Sequence, residues 1–262
     1  MTVSAGSVSV PGQVNSMGKS GDIVKQTIYE QSVTQNARLG ARLEIGDGRV
    51  FHYARNGGVA IIDGVILQGA VPVANHLNCT AAASAAIGDK VVKLTLGATL
   101  ATANQYAEGY VHFNDEIPEG SLYKIAGHAA VAQSGIITLN LYDPLVKAVV
   151  ISSSQATLTK NPYDGLLVAP NAALTQRVVG VSLIDVDINY YFWAQTWGPC
   201  VVLVQGTLVI GMGVGLGGSV DGAVGPIPQT GNAANDTAVA VGTVMQVNAS
   251  TEYALIDLRL AP

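Results

Sequence analysis

The stretch "RVVGVSLIDVDINYYFWAQTWGPCVVLVQG", residues 177–206, decides how the chain is read. It holds both tryptophans, an unbroken aromatic run from Tyr190 to Trp193, and one of the two cysteines, yet its only charged side chains are Arg177, Asp185 and Asp187. β-Branched residues dominate it, and short apolar runs are separated by glycine or a polar pair, as in strands of a sandwich or barrel. On a strand Tyr190 and Phe192 share one face while Tyr191 and Trp193 share the other. Aromatics on both faces predict a strand covered twice. One cover is the protein's own core, and the other is expected to be a second subunit or layer.

The same grammar extends in both directions. "ARLEI" and "RVFHYA" alternate around "GDG" at 46–48, so Gly46, Asp47 and Gly48 are expected to form a tight hairpin turn. Further strands are expected at "KVVKLTL", "YAEGYVHFN", "LYKIAGHAAV" and "GIITLNL", and in the second half at "TLVIGMGV", "TAVAVGTVMQVN" and "YALIDLRL". One short helix is expected within 74–86. The fold class is all-β, sandwich or barrel-like sheets with an extended N-terminal arm and little helix. The expected division is an arm over 1–36, a first β region over 37–150, a linker over 151–165 and a second β region over 166–262. That second region either stands apart or packs with the first as one unit. The arm, apolar at intervals, has the character of a segment that adds a strand to a neighbouring subunit or frays as a terminus.

Composition limits the function classes. The 262 residues include 13 Lys or Arg and 18 Asp or Glu, so only 12% are charged, about half the usual share. Much of the surface is therefore expected to be hidden in a partner. A net charge of −5 without a basic patch speaks against nucleic acid. Arg38, Arg42, Arg49 and Arg55 are interrupted by Glu44 and Asp47 and read as a solvated edge. The most apolar run, from Cys200 to Leu216, falls short of a membrane span and is broken by glycines, so no membrane partner is expected. Cys79 and Cys200 read as separate buried thiols.

No chemical motif survives inspection. "GMGVGLGG" at 211–218 is glycine-rich but is not followed by a helix that would receive a pyrophosphate. His112 with Asp115 and Glu116, joined by His128, offers metal-ligand types, but Asn, Asp, Pro and Gly in that segment read as a polar turn. Asp185 and Asp187, about 7 Å apart on one strand beside aromatics, have the look of a sugar-processing pair. Two acids at a strand start nevertheless face solvent more often. No catalytic residue, metal or cofactor is expected, and the chain reads as a protein other than an enzyme.

Three blocks carry a family likeness: "GARLEIGDGRVFHYARNGGVAIIDGVILQGAVPVANH", "EGYVHFNDEIPEGSLYKIAGHAAVAQSGIITLNLYDPLVKAV" and the opening stretch. Over roughly residues 40–240 the chain resembles tailed-phage capsid decoration, or cement, proteins. The likeness rests on strand, turn and glycine patterns. Residue by residue it carries over only Asp47, Gly48 and Arg49 of the hairpin, Phe51 and Tyr53, and "WAQTWG" at 193–198. It implies a non-enzymatic protein on the outer capsid surface of a virion. Its partner there is the phage major capsid protein, and it self-associates as a trimer, with a dimer as the second choice. The contact residues expected for a subunit or the capsid are Tyr190, Tyr191, Phe192, Trp193, Trp197, Phe51 and Tyr53. The alternative is a carbohydrate-binding head spike or lectin-like module with Tyr191, Trp193 and Trp197 as stacking rings.

Overall fold

The computed structural model describes residues 26–171, 173–217, 219–227 and 240–262. They form an all-β protein with two sheets and, apart from one turn of 3-10 helix at Ala74–His76, only strands and connections. The described residues divide into two compact units, one made of 26–69 together with those described from 165 onward, the other of 70–164.

The first unit starts with β1 (Arg42–Glu44), β2 (Val50–Asn56) and β3 (Ile66–Gln68). The second holds β4 (Cys79–Thr80), β5 (Val91–Thr95), β6 (Tyr110–Asp115), β7 (Leu122–Gly127), β8 (Ile136–Leu141) and β9 (Gln155–Thr159). The chain then returns through β10 (Asp164–Val168), β11 (Val178–Ser182), β12 (Tyr191–Leu203), β13 (Gly213–Leu216), β14 (Val224–Pro226), β15 (Gly242–Gln246) and β16 (Tyr253–Arg259).

The first unit is a ten-stranded sheet in the order β1-β2-β10-β3-β11-β12-β16-β15-β13-β14, and β12 also pairs with β2. That extra pairing returns the sheet on itself through β2, β10, β3, β11 and β12, a nearly closed barrel. In the second unit the order is β4-β9-β6-β7-β8-β5, and an isolated bridge between Ala81 and Leu94 brings β5 back beside the end of β4. Alternation fills its interior: Val92 and Leu94 of β5 and Ile137 and Leu139 of β8 point inward, while Val91, Lys93 and Thr138 face out.

Several expectations need correction. The second unit is an insertion between β3 and β10, which pair antiparallel through Gln68–Leu167 and Leu67–Val168, so the sequential split at 150 and 166 does not describe the units. The stretch 151–165 is not a linker. Although rich in Ser and Thr, it supplies β9, which lies between β4 and β6 and buries Ala156, Thr157 and Leu158. The 74–86 helix reduces to Ala74–His76, because the chain is drawn into β4 pairing from Cys79. The residues on either side of "WG" belong to one strand, β12. It bends at a register shift between Gln195 and Trp197 and at Gly198, where φ is +85°. Its first half pairs with β2 and its second with β16. Of the arm, residues 1–25 lie outside the described residues. Residues 26–36 pack on the chain's own sheet, where Ser32 pairs with Tyr191 and Ile28 is buried.

The aromatic run of β12 sits in this frame. Phe192 is fully buried on one face. On the other, Trp193 joins Phe51, Tyr53, Leu43 and Ile28 in a separate cluster. The second cover predicted from the sequence exists, but the β1–β2 hairpin and the segment around Ile28 supply it. Gly46 and Asp47 form the hairpin's turn, with Gly48 at φ +86° and its N–H donating to the Ile45 carbonyl.

Candidate functional site

Of the residues expected to contact a subunit or capsid, Phe51, Tyr53, Phe192 and Trp193 are buried inside their own unit, which corrects that expectation. Trp193 is 2% exposed, its ring meets Tyr53 edge-on at 5.0 Å, and its indole N–H donates to the Gln26 carbonyl at 3.1 Å. Tyr190, Tyr191 and Trp197 are half-buried. Tyr191 stacks on Tyr53 at 5.9 Å with the Arg55 guanidinium 5.9 Å from its ring. A three-ring sugar platform of Tyr191, Trp193 and Trp197 is therefore not assembled, because Trp193 presents no face to solvent.

The two acids of the opening stretch are also not a strand pair. The chain from 183 to 190 is loop with one bridge at Val186, and each carboxylate is tied to a different segment. Asp185 accepts the Asp63 N–H at 3.1 Å, and Asp187 accepts from the Gln31 amide at 3.0 Å. Three of the histidines have structural partners as well. His52 Nδ1 meets the Thr196 hydroxyl at 3.0 Å. His76 bonds the Tyr106 hydroxyl and the Thr99 carbonyl, and His128 Nε2 accepts the Tyr106 N–H. No group of three or more metal-ligand side chains converges among the described residues. Burial pushes the Cys79 thiol up to about 11 and the Cys200 thiol up to about 12, so both are protonated and unreactive at neutral pH.

What the first unit does offer is an open groove of about 680 Å³ on its sheet. Its floor is apolar and comes from the second half of β12 with β16: Pro199, Val201 and Leu255, the last two being cross-strand partners. The outward alternation of β12 exposes Val201, which stands 54% open to solvent. Tyr253, Tyr29, Asp63 and the Asp47–Arg49 pair also line it.

Two local devices build this site. At Gly64, φ is +67° and a Cβ would stand 2.5 Å from the Tyr253 ring, so glycine alone lets the ring lie over the chain there. Gly64→Ala is expected to cost about 1–2 kcal/mol by combining left-handed backbone with a displaced ring. Urea denaturation checks this, and adding Tyr253→Ala should recover the part due to the ring. At the bend of β12, the buried Gln195 amide donates to the Trp197 carbonyl at 3.0 Å and the Pro199 carbonyl at 2.9 Å. These bonds from one side chain tie together the backbone on both sides of the bend.

The electrostatics are mild. Burial opposes the charge on Arg49, but hydrogen bonds with Asp47 and Tyr29 outweigh it and hold the guanidinium above its ordinary value. The Arg49–Asp47 contact is 2.8 Å. Burial, and then the nearby Asp63 and Asp185 carboxylates, raise the Tyr253 phenol. The groove thus combines an aliphatic floor with the phenols of Tyr29 and Tyr253, the Asp47–Arg49 ion pair and Asp63. Sequence reasoning placed Asp47, Arg49, Val201 and Leu255 on strands or turns but missed their convergence. The alternation Tyr253, Leu255, Asp257 in "YALIDLRL" marked an outward face without saying what lay beside it.

The sequence matches no protein-family model and no curated protein, and the fold matches no solved structure.

Proposed function

We propose that the chain is a structural protein that binds the outer surface of a tailed-phage major capsid shell and stabilises it, acting as a self-associated decoration protein. The observation that carries this reading is apolar surface without charge. Aliphatic side chains stand in solvent on both units, with Ile87 70% exposed, Val146 68% and Ile210 65%, in a chain with 12% charged residues. Exposed large aliphatics on a surface this poor in charge support a working state in which a partner covers part of them. Covering them in a repeating shell contributes roughly 25 cal/mol per Å² before ordering costs. The fold suits the task, since each unit is built on long-range strand pairing, and a preformed sheet face costs less ordering on docking than a segment that must fold.

The test is co-sedimentation of the purified protein with emptied, expanded phage shells, followed by heating of the decorated particles. Saturable binding at low micromolar concentration and a raised disruption temperature are expected. Protein that stays in the supernatant at every concentration would sink the reading. Val146→Asp and Ile210→Asp, one in each unit, should separate the faces. The variant at the docking face is expected to weaken binding at least tenfold, by desolvating a new charge.

A further inference from the structure

Two connections of the second unit, 96–109 between β5 and β6 and 128–135 between β7 and β8, close on one another around Tyr106. Ala101 and Val131 exchange backbone hydrogen bonds at 2.9 and 2.8 Å, and the Asn104 N–H donates to the His128 carbonyl at 3.0 Å. Tyr106 is 2% exposed and belongs to the unit's core cluster. Histidine holds it at both ends. Its N–H donates to His128 Nε2 at 3.1 Å, and its hydroxyl bonds His76 Nδ1.

The second nitrogen of each ring fixes which one carries the proton. His128 Nδ1 lies 2.8 Å from the Ala129 carbonyl and His76 Nε2 lies 3.0 Å from the Thr99 carbonyl, and a carbonyl only accepts. His128 is therefore protonated on Nδ1 and His76 on Nε2. The rings differ in what a further proton would do. At His76 the Tyr106 hydroxyl can turn and accept. At His128 the partner is a backbone N–H, so a proton on Nε2 sets two donors face to face in a buried place. That bond survives only while His128 is neutral.

The surroundings favour the neutral ring. Burial is the main cause lowering the His128 pKa and the facing His76 adds to it, while the Ala129 carbonyl pulls the other way. The other titratable groups at the cluster are Tyr106 itself and Cys79 of β4, both held protonated by burial. Among the described residues no carboxylate, lysine or arginine is hydrogen-bonded to either ring.

We infer that the His128–Tyr106 bond is an acid-released latch: protonation of His128 frees the segment 101–108 from 128–131 while the strands of the second unit stay paired. None of the six strands lies in either connection, so the latch can open without breaking the ladder. Opening returns His128 to water and to an ordinary pKa near 6.5. The open population therefore rises as pH falls below about 6.5, by at most tenfold per pH unit, and levels off below the folded pKa. Above 6.5 it is constant. The latch is independent of shell binding.

The test is hydrogen exchange of the full-length protein at pH 7.5, 6.5 and 5.5, corrected for the intrinsic pH dependence of exchange. Protection of the Asn104 and Tyr106 amides is expected to fall about threefold to tenfold between pH 7.5 and 5.5, while Ile137 and Leu139 of β8 keep theirs. His128→Gln retains a neutral acceptor for the Tyr106 N–H and should abolish that fall. Protection that ignores pH, or that still falls in His128→Gln, would overturn the inference. An equal loss at Ile137 and Leu139 would overturn it too, since the whole unit would then be unfolding. If His128→Gln does not fold, nitrogen-15 spectra of the unaltered protein decide. A proton on His128 Nδ1 at pH 7.5 is expected, and a proton on Nε2 would remove the latch.

Discussion

Trp193→Ala is expected to destabilise the first unit by about 3–5 kcal/mol, the range for removing a large buried aromatic. Trp193 is almost fully buried between the β2 face and the segment around Gln26. Three losses coincide. The cavity removes packing against Tyr53, Phe51 and Ile28. The edge-on ring pair with Tyr53 disappears. The Gln26 carbonyl loses its donor from the indole, which loosens the anchor of residues 26–36. Urea denaturation followed by near-ultraviolet circular dichroism measures the cost, and hydrogen exchange should show the Ser32–Tyr191 pairing opening first. Trp197→Ala, at a half-buried position on the same strand, is expected to cost clearly less. Equal costs for the two would mean that the cluster around Trp193 is not the unit's second core.

Acid is expected to weaken the same unit well above the pH at which carboxylates protonate. Burial is the largest cause holding His52 neutral, helped by the positive charges of Arg42 and Arg177, and its pKa falls from an ordinary 6.5 to about 4. Between those values the unfolded chain binds a proton that the folded chain refuses. Stability contributed by neutral His52 is therefore present above about pH 6.5, is lost as pH falls toward 4, and changes no further below that. The full loss is about 3 kcal/mol at 1.36 kcal/mol per pKa unit. His128 in the second unit is also lowered, chiefly by burial, and gives a slope of the same sign there. Denaturation midpoints at pH 7, 5.5 and 4.5 test this. His52→Gln should keep a partner for Thr196 and flatten the slope of the first unit only. An unchanged slope in that variant would remove His52 as the source.

The strands were legible because their signal is local. The β1–β2 hairpin needs only a turn at Gly46–Gly48 and alternation on either side, and both are written within a dozen residues. Cysteine and histidine chemistry was legible in part. Buried separate thiols followed from their isolation, while the pairing of His52 with Thr196, 144 positions away, had no local trace. The candidate site was barely legible. Val201, Leu255, Asp63 and Tyr29 meet only because β12 changes partners midway, from β2 to β16, at a bend fixed by Gly198 and held by Gln195.

By itself the sequence determined the all-β class, the hairpin turn and an aromatic strand that must be covered on both faces, because period-two alternation and turn chemistry act between near neighbours. Only the tertiary structure decided what supplies the second cover, where the inserted unit begins and ends, and which side chains share the groove. Those depend on pairings such as Gln68 with Leu167 and Tyr53 with Trp193. Their energy comes from burial and ladder hydrogen bonds between segments about a hundred or more residues apart, so no window of the sequence contains both halves of the interaction.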